Sequence, residues 1–89
     1  MNMKTAQTTI LSPSGMHARP AGELAKLAKS FAPTKIRISD SVKTKDAASV
    51  MSIMSMGLKQ GTVVTVCAEG EREQEALDAV LQFISSVTD

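Results

Sequence analysis

Aromatic residues are nearly absent from this 89-residue chain, which has two Phe and neither Trp nor Tyr. Its core must therefore be built from aliphatic side chains, with six Met as adaptable filler. There is one cysteine, so no internal disulfide can form, which fits a reducing compartment. With a single histidine beside that cysteine, the chain offers at most two soft ligands, short of a closed zinc shell, and no metal or cofactor is expected. The formal charge is only +1, so no global field draws nucleic acid or an anionic membrane. An RNA-binding sandwich is disfavoured again by the lack of strand aromatics on which bases could stack. No apolar run approaches the ~20 residues of a membrane span, and the N-terminal residues lack a signal peptide's apolar segment. A soluble, cytoplasmic protein is expected.

What the chain does have is patterning: 43% of residues are hydrophobic and 21% charged, a globular balance. The length predicts a single domain over 1–89. Residues 4–11 alternate as a half-buried strand with Ala6, Thr8 and Ile10 on one face. From Ala18 the period changes, and Leu24, Leu27, Ala28 and Phe31 predict a helix closed by Pro33. Ile36 and Ile38 mark a second strand, and Val42 to Ala47 a polar edge strand. Ser49 to Leu58 reads as a short helix with Ser49 as N-cap. Thr62 to Ala68, β-branched almost throughout, reads as a central strand, in which Cys67 is expected to be a small buried hydrophobe. A last amphipathic helix over 71–87 turns Ala76, Leu77, Val80, Leu81, Ile84 and Val87 inward. This order predicts an α+β open-faced sandwich: a four-stranded, mostly antiparallel sheet with three helices on one face.

The chemistry concentrates at Ser14-Gly15-Met16-His17-Ala18-Arg19-Pro20, where the first strand gives way to the first helix. A helix's first turn leaves N–H groups unpaired at its positive end and so stabilises an anion. With His17 at the N-cap, its ring would hold a phosphoryl group over the amides of Ala18 and Arg19. Neutral imidazole is a competent nucleophile. Arg19 adds a planar, permanently charged fork for phosphoryl oxygens. Pro20 falls in the first turn, where a missing N–H costs little. Residue chemistry leaves two alternatives open, an ordinary capped helix and a Cys67–His17 nucleophilic pair.

The run Gly15-Met16-His17-Ala18-Arg19-Pro20-Ala21 resembles the active-site motif of HPr, the histidine-containing phosphocarrier of the bacterial sugar phosphotransferase system. The block from Ser49 to Leu58 resembles that family's second helix. Gly70 followed by Glu73-Gln74-Glu75-Ala76-Leu77 resembles the start of its third. The resemblance implies a carrier rather than an enzyme: His17 accepts a phosphoryl group on Nδ1 from Enzyme I and passes it to a sugar-specific enzyme IIA, assisted by Arg19. It implies a docking surface for both partners, taken here as Met16, Val50, Met51 and Met54, on a chain expected to act as a monomer. HPr-like relays for nitrogen, fructose or dihydroxyacetone are alternatives.

Ser49 falls where Gram-positive members carry a regulatory phosphoserine. That reading would add HPr kinase/phosphorylase and a carbon-catabolite transcription regulator as partners. The chain departs from the pattern at Ala48, where those members have a basic residue, and the plain N-cap reading of Ser49 stands beside it.

Overall fold

The computed structural model describes residues 3–89. The elements run β1 (Met3–Thr9), α1 (Ala18–Lys29), β2 (Lys35–Ser39), β3 (Thr44–Asp46), α2 (Val50–Ser55), β4 (Val63–Glu69) and α3 (Glu73–Ser86). The strands form one sheet in the order β1-β4-β2-β3, and every neighbouring pair is antiparallel.

Strand periodicity decides which side of the sheet is covered. In β4, Val64, Val66 and Ala68 are fully buried, and in β2 so are Ile36 and Ile38. They meet Leu24 and Ala28 of α1, Ile53 of α2, and Ala76, Val80 and Ile84 of α3 in one cluster. Each large aliphatic side chain buried there contributes ~1.5–3 kcal/mol of transfer free energy. All three helices lie on this face, and the other carries Thr5, Cys67, Arg37 and their neighbours in register.

That arrangement corrects the reading of Cys67. β4 is central, but it is covered on one side only, so Cys67 is half-buried on the open face. The edge strand is shorter than expected, Thr44–Asp46 against 42–47, because Asp40 turns the chain later. Its Oδ1 accepts from the Lys43 and Val42 amides at 2.7 and 2.8 Å, an Asx turn. Those two bonds, Lys43 first, hold the Asp40 carboxyl below its ordinary value.

α1 stops at Lys29 rather than at Pro33, with turns bonded to the carbonyls of its last residues. α3 begins at Glu73, two residues later than expected, with Glu73 and Glu75 in its first turn complementing the helix dipole. Leu81 is half-buried rather than inside. Met56 and Leu58, just past α2, belong to the core. Among the described residues no helix is long and apolar enough to cross a membrane.

Candidate functional site

The segment between β1 and α1 is fixed by contacts that begin at Ser12. Its hydroxyl is buried, accepts from the Ser14 amide at 3.2 Å and donates to the Asp89 carbonyl. The Gly15 amide donates to the Ser12 carbonyl at 2.9 Å, and the Met16 amide to the Leu58 carbonyl at 3.0 Å. Gly15 has φ +70°, and a Cβ there would lie 2.2 Å from that same Leu58 oxygen. Only glycine combines this left-handed backbone with so close an approach. The loop is therefore locked to the stretch that follows α2.

Met16 is turned inward by this lock and is only 6% exposed. It therefore offers a partner almost no surface, less than the sequence reading expected. Val50 is half-buried against the core and presents only part of its side chain. Met51 and Met54 do face solvent, at 80% and 45% exposure.

His17 is the N-cap of α1, in an extended conformation (φ −78°, ψ −175°). Its carbonyl accepts the first helical bond, from Ala21 N at 2.9 Å. Its side chain makes no capping bond, so the half-buried ring is not occupied in holding the helix end. The amides of Ala18 and Arg19 donate to nothing among the described residues, as expected of a helix's first positions. Pro20, which has no amide to leave unpaired, is buried beneath them.

Arg19 is half-exposed and held by two carboxylates. Nη1 meets Glu23 Oε1 at 2.7 Å, one helical turn on, and Nη2 meets Asp89 Oδ2. The Asp89 carboxyl lies below its ordinary value, through a hydrogen bond from its own amide, then the hydrogen bond and charge of Arg19, then the charge of His17. The i, i+4 spacing of Arg19 and Glu23 was legible beforehand. Asp89, 70 positions from Arg19, carries no signal that could have found it.

Cys67 sits on the open face of β4, away from the helices, while His17 caps a helix on the covered face. The two are not brought together as a nucleophilic pair. Ser49 caps α2, accepting from Ser52 N at 3.2 Å, and the following turn carries Met51 and Met54. Because Met16 N is bonded to Leu58 O, this helix and the His17 loop are joined side by side. No group of three acidic, His or Cys side chains that could hold a metal exists among the described residues.

Comparison with known proteins gives this geometry a context. Residues 4–86 match the family model described as the PTS HPr component phosphorylation site. The chain is 36% identical over 85 residues to phosphocarrier protein HPr of Lysinibacillus sphaericus, covering 96% of each chain. The fold superposes with a TM-score of 0.89 on HPr from Thermoanaerobacter tengcongensis, at 38% identity and covering 96% and 94% of the two chains. It also superposes, with a TM-score of 0.75 and 30% identity, on Crh, the catabolite repression protein of Bacillus subtilis, whose crystal structure is described as a swapped dimer. That match covers 92% and 93% of the two chains.

Proposed function

The chain belongs to the HPr family, the phosphocarriers of the phosphotransferase system, and on that premise we propose that His17 is the residue that carries the phosphoryl group. The observation that carries this reading is a His17 ring with no capping bond at the N-cap of α1, next in the chain to two unengaged amides.

The step itself asks little covalent chemistry of the protein. A lone pair on His17 Nδ1 forms a bond to phosphorus as the bond from phosphorus to the donor breaks. The donor atom leaves with that electron pair. Catalysis is then a matter of position and charge. The Ala18 and Arg19 amides, at the positive end of α1, receive two phosphoryl oxygens. The Arg19 guanidinium spreads its charge over the group in transfer, and must first give up Asp89 or Glu23 to do so. The reverse step, to an acceptor with a better-placed nucleophile, uses the same donors. The protein turns over no substrate of its own and so acts as a carrier, not an enzyme.

We take Enzyme I as the donor and a sugar-specific enzyme IIA as the acceptor, both docking over Met51 and Met54 beside His17. This places the work in the cytoplasm and asks only for a monomer. Phosphoenolpyruvate and Enzyme I should give an acid-labile, base-stable phosphate that vanishes in His17→Ala. Label that survives the substitution would overturn the assignment.

Ser49 supports a second, regulatory reading. Its hydroxyl is half-buried and spent on the α2 cap, so a kinase must break that bond to reach it. A phosphate would then take over the cap at a favourable helix end. Ser49 modified in cells while His17 stays unmodified would favour this reading, with HPr kinase/phosphorylase and a catabolite regulator as partners.

A further inference from the structure

Arg19 comes to the proposed phosphoryl site with its charge already offset. Its one guanidinium meets two carboxylates, Glu23 and Asp89, so the trio is net negative. A phosphoryl group on a side chain carries about −1.5 to −2 charges at pH 7. It calls for a cation that is not already spent. Of the cations on this side of the molecule, Lys43 gives its Nζ to the Ser55 carbonyl at 3.3 Å. Lys26 stands about 14 Å along α1 from His17.

Lys59 is different. Its side chain is exposed and makes no ion pair among the described residues. Its backbone, by contrast, is fixed against the His17 loop. A Cβ on Gly15 would lie 3.2 Å from the Lys59 α-carbon, and the Leu58 carbonyl just before it accepts from the Met16 amide at 3.0 Å. On its other side the Lys59 carbonyl accepts from the Thr62 amide at 3.1 Å, and its amide donates to the Thr62 hydroxyl at 3.3 Å. The next side chain, Gln60, donates to the Leu11 carbonyl at 3.0 Å. The α-carbons of Lys59 and Gly15 are thus within about 5 Å, and two further peptide steps to His17 add at most ~7 Å. An extended lysine stem of ~6 Å, met by an imidazole and its phosphoryl group of about the same length, spans that gap.

We propose that Lys59 is a further phosphate-binding residue, its ammonium set against the phosphoryl oxygens on His17 and supplying the charge that Glu23 and Asp89 take from Arg19. The inference rests on the carrier reading of His17. Lysine suits the place, because a point charge on a flexible stem follows the group as it arrives and leaves. Arg19 must first be released from a carboxylate, and Lys59 has none to leave. No bond to Lys59 forms or breaks, and the ammonium keeps its protons throughout.

Phosphorus NMR on the full chain, phosphorylated with Enzyme I and phosphoenolpyruvate, tests it through the pH at which the phosphoryl dianion takes up a proton. A cation in contact favours the dianion. Lys59→Gln should therefore raise that midpoint by about half a pH unit, the order expected for one charge pair ~4 Å apart in water. Lys59→Arg should keep the parent's midpoint. Lys26→Gln, which removes an equal charge at a distance, should move it by less than ~0.2. Lys59→Gln, at an exposed position, should unfold at the parent's temperature. An unchanged midpoint in Lys59→Gln, or an equal rise in Lys26→Gln, would overturn the inference and leave the carrier reading standing. A parent chain that takes up no phosphate would overturn the carrier reading, and this inference with it.

Discussion

Arg19 and Asp89 are joined through Nη2 and Oδ2 across 70 positions of the chain. Asp89 thus occupies the arginine that stands beside the proposed phosphoryl site. Glu23 holds the other arm of the guanidinium at 2.7 Å, so Arg19 is positioned but not free.

Removing that competitor should help the incoming group. Asp89→Asn is expected to raise the rate of phosphoryl uptake by His17, by no more than about fivefold because both partners are exposed. Rapid-quench measurement with phosphorylated Enzyme I checks it. The pH dependence has a definite sign. The Asp89 carboxyl is lowered from 3.8 in the folded chain, so the contact is complete above the ordinary carboxylate range and is lost as pH falls through the lowered value. Between pH 6 and 8 Asp89 is ionised throughout, so its pairing with Arg19 itself adds no pH dependence to the rate.

Gly15 and Gly57 both have positive φ, at +70° and +61°, but only Gly15 faces a backbone atom. Gly57→Ala should lose ~1 kcal/mol, the strain of the left-handed conformation. Gly15→Ala adds the clash with Leu58 and should lose at least ~2–3 kcal/mol. Urea denaturation compares them, and equal losses would show that the Leu58 contact yields cheaply.

The three methionines near the site should separate cleanly. Met16→Ala opens a cavity and is expected to cost ~2–5 kcal/mol. Met51→Ser and Met54→Ser, at exposed positions, should stay within ~0.5 kcal/mol of the parent. The same two changes should weaken binding to Enzyme I, as read by calorimetry. Unchanged affinity in both would remove α2 from the docking surface.

Ser49→Ala deletes the α2 cap and should lose ~1 kcal/mol, whereas Ser49→Asp, itself a good N-cap, should keep most of it. Thermal unfolding of the pair distinguishes a capping hydroxyl from one whose only use is modification. Equal loss in the two variants would argue that the Ser52 amide gains nothing from residue 49.

Local rules reached most of the fold and the centre of the site. The change of period at Ala18, with His17 before it and Pro20 inside the first turn, was enough to put the histidine at a helix N-cap. The alternation of Ile36 and Ile38 identified the covered face of β2. What escaped depended on partners distant in sequence. Met16 is buried because its amide reaches Leu58 O, and no pattern around residue 16 reports that. In β4, the β-branched run hides which side is covered, since Thr65 and Cys67 are compatible with either. The choice was made by helices that all lie on the opposite face. Met56 and Leu58 follow the last turn of α2, where helical spacing no longer says which side chains point in.

On the proposed reading, the join between Met16 and Leu58 sets the carried group beside the surface for recognition. A donor seated on α2 would then shut out an acceptor, and no three-protein complex would pass the phosphate directly. The relay would run as a sequence of separate encounters, each ended before the next begins. Throughput then depends on how quickly each complex comes apart, and a partner that holds on too well would slow the whole chain of transfers as surely as one that never arrives.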